Sequence, residues 1–122
     1  MMNENKDYVS QPQENGNVFI SEDVIASITA EAIKDIDGVC GLAGNTVADL
    51  AGKLGMKNNK GIKLVLKPAS VEIECNIIAL YGRPVIELAK NVQSAVFSAV
   101  ESMTGLKVDK VDVNVCAISM GK

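Results

Sequence analysis

Glu72 and Glu74, two carboxylates at i and i+2, are residues of the 122-residue chain whose type and spacing suggest chemistry. A pair of carboxylates can divide the work of a general acid and a general base when their surroundings push their pKa values apart. Their neighbours give them a plainer role. Ile62 to Leu66 and Val71 to Tyr81 both alternate as strands do, and Lys67-Pro68-Ala69-Ser70 lies between them, with Pro68 suited to the second position of a type I turn. In a hairpin with Leu66 against Val71, Leu64 against Ile73 and Ile62 against Cys75 on one face, Lys63 meets Glu74 and Val65 meets Glu72 on the other. The glutamates are thus expected on a lysine-paired, solvated sheet face.

The other reactive types are sparse. Cys40, Cys75 and Cys116 are odd in number, widely spaced and without a C-x-x-C, which argues against a disulfide framework or a zinc site. They are expected as reduced core residues. The chain has no His and no Trp, so two common tools of acid–base chemistry and ligand stacking are missing. Lys53, Lys57, Lys60, Lys63 and Lys67 fall in a stretch with no acidic residue. That stretch reads either as a solvated connection or as a contact for anionic lipid headgroups or an acidic partner. The net charge of −3 says little by itself, because Glu4, Asp7, Glu14 and Lys6 in the first seventeen residues already supply two of those charges. A nearly neutral remainder predicts no general attraction to nucleic acid or to a membrane.

The element that must organise these residues is a helix from Pro84 to Thr104. Pro84 suits a first turn and Gly105 a left-handed stop. Between them Val85, Leu88, Ala89, Val92, Ala95, Val96, Ala99, Val100 and Met103 recur at helical spacing, with Glu87, Lys90, Asn91, Ser94, Ser98 and Glu101 opposite. Ile86 and Phe97 sit on the flank, widening the apolar arc beyond what one sheet needs to cover.

Residues 1–16 are polar and lack periodicity, so a disordered tail is expected there, with a single domain over 17–122. Val18-Phe19-Ile20 reads as a short strand. Ser21 then caps a helix whose buried stripe is Val24, Ile25, Ile28, Ala32, Ile33 and Ile36, with Thr29, Lys34 and Asp35 wet and Gly38 as the stop. The glycine-punctuated stretch to Lys60 reads as a loop with a helical turn over Thr46 to Leu54. In the last strand, Val108 to Ile118, Val111, Val113, Val115 and Ala117 face in and Lys110, Asp112 and Asn114 face out. At one end the outer face turns apolar through Ile78, Leu80, Cys116 and Ile118, so either the segment 43–60 or a second chain should cover it.

The order β-α-β-β-α-β predicts an α+β fold with two helices on one face of a mostly antiparallel sheet, ferredoxin-like as first choice. If the first strand is absent or pairs elsewhere, three strands remain.

These residues resemble the alkaline shock protein family of Gram-positive bacteria, also described as an envelope stress response family. Three blocks carry the resemblance: Val18 to Ile28 with Asp37-Gly38-Val39; Tyr81-Gly82 followed by Ala89, Val92 and Gln93; and Met103 to Leu106 followed by Val108 to Val115. The Pro68-containing hairpin and its lysine-rich approach depart from the pattern. The resemblance implies a non-enzymatic cytoplasmic protein, abundant under alkaline or envelope stress, held near the membrane through a membrane-anchored partner and prone to self-association. Some relatives are linked to control of fatty-acid synthesis, so a regulator binding such an enzyme is the alternative. No catalytic residue, metal ligand or cofactor is expected, nor a membrane span or a nucleic-acid partner. The candidate interaction residues are Ile86, Phe97, Ile78, Leu80 and Ile118, with the five lysines as candidate anionic-partner contacts.

Overall fold

The computed structural model describes residues 8–43 and 61–120. Eight elements follow in order: β1 Tyr8–Gln13, β2 Gly16–Ser21, α1 Glu22–Lys34, β3 Val39–Leu42, β4 Ile62–Lys67, β5 Ser70–Leu80, α2 Val85–Thr104 and β6 Lys107–Ser119.

Strand β5 is the spine. Its alternate residues Val71, Ile73, Cys75, Ile77 and Ala79 are all buried beneath the helices. β4 pairs with its first half in the expected register, Ile62 to Cys75 through Leu66 to Val71, with Lys63 opposite Glu74 and Val65 opposite Glu72. The turn differs from expectation. Ala69 has φ 64°, a positive value that belongs to the third position of a type II turn rather than type I.

β3 pairs with the second half of β5 on that same edge, Val39 to Ala79 and Leu42 to Ile77. The two short strands meet at Asn76: the Ala43 N–H donates to the Asn76 carbonyl (2.8 Å), and the Asn76 N–H donates to the Gly61 carbonyl (2.8 Å). β3 and β4 thus form one edge strand from which the chain departs at Ala43 and to which it returns at Gly61. The helical turn expected over Thr46 to Leu54 lies outside the described residues.

On its other side β5 pairs in parallel with β6 along its whole length, α2 making the crossover. The sheet is therefore three strands wide, and the ferredoxin-like arrangement expected first does not form. Unbroken apolar inner faces let β5 and β6 pair directly, and β2 pairs instead with β1 in a separate hairpin, Tyr8 to Ser21 through Gln13 to Gly16. Residues 8–16 of the tail expected over 1–16 belong instead to this hairpin, while residues 1–7 lie outside the described residues. Val9 is only 1% exposed, lies opposite Ile20 and joins the main core. One buried valine among polar residues gives no periodic signal, yet the hairpin seals the end of α2: Gln11 Nε2 donates to the Thr104 carbonyl at 3.3 Å. Carbonyls in the last turn of a helix have no intrahelical partner, so the bond satisfies one of them.

Both helices lie on one face, α1 toward β3 and β4, α2 toward β6, each against the other. The Ser21 Oγ accepts from the Val24 N–H at 3.3 Å and starts α1, whose last helical residue, Lys34, precedes Gly38 by four. The stripe is rotated from the expected one. Val24 is exposed and Thr29 fully buried, its hydroxyl donating to the Ile25 carbonyl at 2.8 Å and so satisfied within the core. In α2, Leu88, Val92, Val96 and Val100 form the buried line at four-residue spacing, while Val85 and Met103, expected inside, are exposed. Gly105 ends the helix at φ 75°, its N–H bonded to the Glu101 carbonyl.

Candidate interaction surface

The flank of α2 is where the structure gathers the most informative groups. Ile86 is 68% exposed and Phe97 43%. They share a strip with Gln93 and Glu101, and both of these polar side chains reach the β6 backbone. Gln93 Nε2 donates to the Val111 carbonyl at 2.9 Å, and the Val108 N–H donates to Glu101 Oε2 at 3.0 Å. No described strand pairs with that side of β6, so these two side chains occupy hydrogen-bonding positions on an open sheet edge. Glu101 was expected on the wet side and Gln93 had no assigned role. The signal lay in the four-residue spacing of Gln93, Phe97 and Glu101, which stacks them on one line.

The outer sheet face only partly matches expectation. Ile78 and Leu80 do lie on it, half-buried. Ile118 does not. The register slips between Ile77–Val115 and Ile78–Ala117, leaving Cys116 as an extra residue and setting Ile118 opposite Ala79, on the helix side. The one-residue slip exchanges faces, so Ala117 stands beside Ile78 where Cys116 would have been, and Ser119 beside Leu80 where Ile118 would have been. Ile118 remains 46% exposed at the sheet's end.

Lys53, Lys57 and Lys60 lie outside the described residues. Of the other two, Lys63 stands opposite Glu74 on β5, and Lys67 is committed within the fold, its Nζ 2.7 Å from Glu72 Oε2 and 3.6 Å from Asp109 Oδ2. The bond from Glu72 outweighs partial desolvation and holds the Lys67 ammonium above its ordinary pKa. Glu74 accepts from Asn114 Nδ2 at 2.8 Å, and Asn114 donates also to Asn76 Oδ1 at 2.8 Å. The two glutamates of the acid–base reading are thus tied into the solvated face by different partners.

Of the cysteines, only Cys75 is a core residue; Cys40 and Cys116 are exposed, each at a slip in strand register that lifts it out of the regular alternation. Burial, and secondarily the charge of Glu74, pushes the Cys75 thiol up to about 12. It stays protonated at neutral pH and is no nucleophile. A cleft of ≈ 150 Å³ lies beside Asp37, Arg83 and Glu87, and one of ≈ 210 Å³ between α1 and β3. Both are smaller than the ~300–1,000 Å³ usual for small-molecule sites. No group of three or more His, Cys, Asp or Glu among the described residues is placed to hold a metal ion, and no described helix is long and apolar enough to cross a membrane.

Comparison with known proteins agrees with the blocks read from the sequence. The chain is 33% identical over 103 residues to Bacillus subtilis YloU, covering 82% of this chain and 86% of that protein. It is 29% identical over 105 residues to a Streptococcus pyogenes protein named stress response regulator gls24 homolog, covering 84% of this chain and 59% of that longer protein. In fold alone it resembles a solved MamM CTD chain, with a TM-score of 0.50, 16% identity and coverage of 79% of this chain and 98% of that one. The family model described as "Asp23 family, cell envelope-related function" matches residues 10–120, from within β1 to the end of β6, and the chain belongs to that family.

Proposed function

We propose that this chain is a non-enzymatic stress-response protein that works as an interaction module on the cytoplasmic side of the envelope, docking a protein partner on the flank of α2. The observation that carries this reading is the exposure of Ile86 and Phe97 beside an open sheet edge, in a family of envelope-related function. Large apolar side chains grouped at a surface, with polar groups around them, are what a protein partner covers. The partner is envisaged as membrane-anchored, which would hold near the membrane a chain whose described helices are not long and apolar enough to cross it. The relative named as a stress response regulator supports the stress setting.

The test is crosslinking and affinity capture from the native host, with and without alkaline or envelope stress, using the intact chain and Phe97→Asp. An envelope protein captured by the first and lost by the second, at unchanged circular dichroism, is the expected result. A protein that captures nothing under either condition, or one for which Phe97→Asp captures as well as the parent, would overturn the docking surface. Capture of a fatty-acid-synthesis enzyme instead would favour the regulatory alternative.

A further inference from the structure

We infer that the end of the molecule where Tyr81, Ile118 and Met120 stand together inserts shallowly into the headgroup boundary of a lipid bilayer, so that the chain touches the membrane itself. This goes beyond the docking of a protein partner on the α2 flank and uses different residues.

Topology gathers these side chains at one end. β5 and β6 run parallel and finish in step, with Leu80 opposite Ser119, and the Tyr81 N–H donates to the Ser119 carbonyl at 2.8 Å. Tyr81 and Met120 are therefore the first residues beyond two strands held side by side. Ile118 lies just before that junction, and α2 sets out from the same end with Val85 and Ile86, both exposed. Tyr81 is 67% exposed and Met120 76%, each more than Phe97. Exposed apolar residues scattered singly are ordinary, but a group of them marks a contact.

Shape selects the occupant. Neither of the two clefts beside α1 and α2 includes Tyr81, Ile118 or Met120. A Cβ placed on Gly82 would meet nothing within 4 Å, so the turn projects from the body and does not line a groove. A protein partner gains most from anchors seated in well-packed pockets, whereas a lipid interface closes around a projecting tip without needing a complementary shape. Tyrosine suits that depth, with its ring in the apolar zone and its hydroxyl among the headgroups. The turn is also braced in advance, because the Leu80 N–H donates to the Gly38 carbonyl at 2.8 Å and Arg83 holds Asp37. Little ordering is left to be done on insertion.

Charge does not drive the contact. Near this end Arg83 is neutralised by Asp37 and Lys34 by Glu31, while Asp35 and Glu87 add negative charge. Insertion should therefore need no anionic lipid. It also leaves the α2 flank free, since Phe97 lies eleven residues beyond Ile86, ~17 Å along the helix and away from the tip. A weak hold on lipid and a weak hold on a membrane-anchored partner reinforce one another, because the second contact forms at the effective concentration set by the first. By itself the tip should bind vesicles at about 10³–10⁴ M⁻¹, at or below the strength of a single acyl chain.

Flotation of the intact chain with phosphatidylcholine vesicles, alone or mixed with phosphatidylglycerol, at about 0.15 M salt tests this. The chain should float with both to within about twofold, and Tyr81→Ser combined with Met120→Ser should lower binding about tenfold at unchanged circular dichroism. The chain has no tryptophan, so Tyr81→Trp reports depth directly: its emission should shift to the blue and be quenched by lipids brominated on their acyl chains. Phe19→Trp, on the hairpin at the other end of α2, should show neither effect. A parent chain that fails to float at about 5 mM lipid, a double variant that floats as well as the parent, or a Tyr81→Trp chain that escapes quenching overturns the inference. Flotation that requires phosphatidylglycerol and disappears at high salt overturns it too, in favour of a charge contact through the lysines. Should the double variant fail to fold, Met120→Ser alone and the quenching of Tyr81→Trp decide. Phe97→Asp should float like the parent while losing partner capture, and the double variant should keep that capture in detergent extracts, so either reading can fail without the other.

Discussion

Arg83 grips Asp37 with two charge-assisted bonds, Nη1 to Oδ2 at 2.6 Å and Nη2 to Oδ1 at 3.0 Å, tying the turn after α1 to the turn before α2. Asp37 opens the Asp37-Gly38-Val39 block of the family pattern and Arg83 follows Tyr81-Gly82, so the pair joins segments far apart in sequence. Hydrogen bonding to Arg83, then its charge, holds the Asp37 carboxyl below its ordinary pKa, and the same contact raises that of Arg83. A carboxylate whose folded pKa is lowered stabilises the fold above its unfolded pKa, and that contribution disappears as pH falls through the folded value. Asp37→Asn should therefore narrow the stability gap to the parent below about pH 4. Both groups are exposed, so the difference at pH 7 should be small and shrink in high salt. Chemical denaturation at pH 3 and pH 7, at low and high salt, measures it; a gap that ignores pH would refute the assignment.

Gly38 sets the height of that clasp. Its φ is 102°, and a Cβ there would meet Leu88 Cδ1 at 3.2 Å and Arg83 Cγ at 3.3 Å. Gly38→Ala pays both the positive-φ strain and the displacement of the Arg83 stem, and should destabilise the fold by about 1–3 kcal/mol. Asp37→Asn made in the Gly38→Ala background should then cost less than in the parent, since the displaced guanidinium no longer makes both bonds. A four-variant cycle in urea tests that coupling.

How far the sequence could be read followed the density of local signal. The β4–β5 register was legible pair by pair, because two alternating apolar faces and the Lys63–Glu74 pair admit one alignment. The ends of α2 were legible from Pro84 and Gly105. What escaped was tertiary. Thr29 enters the core because its hydroxyl turns back onto Ile25, and the slip at Cys116 moves Ile118 to the other face without any proline or glycine to announce it. On the candidate surface, Ile86 and Phe97 were legible as apolar residues off the main stripe. The bonds of Gln93 and Glu101 to β6 depend on where the helix sits over the sheet, which periodicity does not specify.

Val9 tests whether the hairpin belongs to the fold. It is buried against the main core although its neighbours are polar. Val9→Ala removes two buried methyl groups and should cost roughly 2 kcal/mol, far more than a substitution in a mobile tail. Thermal or urea unfolding reads the difference, and a change within about 0.5 kcal/mol would mean that the strand contributes no packing.

Ala69 offers a gain. It holds φ 64° in the turn between β4 and β5, where an alanine Cβ crowds the backbone and glycine does not. Ala69→Gly relieves that strain but loosens the unfolded chain, leaving a net stabilisation of up to ~1 kcal/mol. A rise in the denaturation midpoint at unchanged slope would confirm it, and a fall would show that the turn carries no strain.

Cys75 should make the fold sensitive to alkali. Its folded pKa lies at about 12 against an ordinary 9.0, because burial first and the nearby Glu74 charge second disfavour the thiolate. Between those values the unfolded chain releases the proton and the folded chain keeps it. Stability is unaffected by this group below pH 9 and declines as pH rises toward 12, by about 1.4 kcal/mol per pH unit where the difference is complete. Cys75→Ala should be less stable at neutral pH by roughly 1–2 kcal/mol, since it leaves a small cavity on the central strand. Its stability should nonetheless fall less steeply above pH 9, and the two curves should converge. Parallel curves from pH 8 to 11 would show that the thiol does not couple to folding, whatever the lysines do in both proteins.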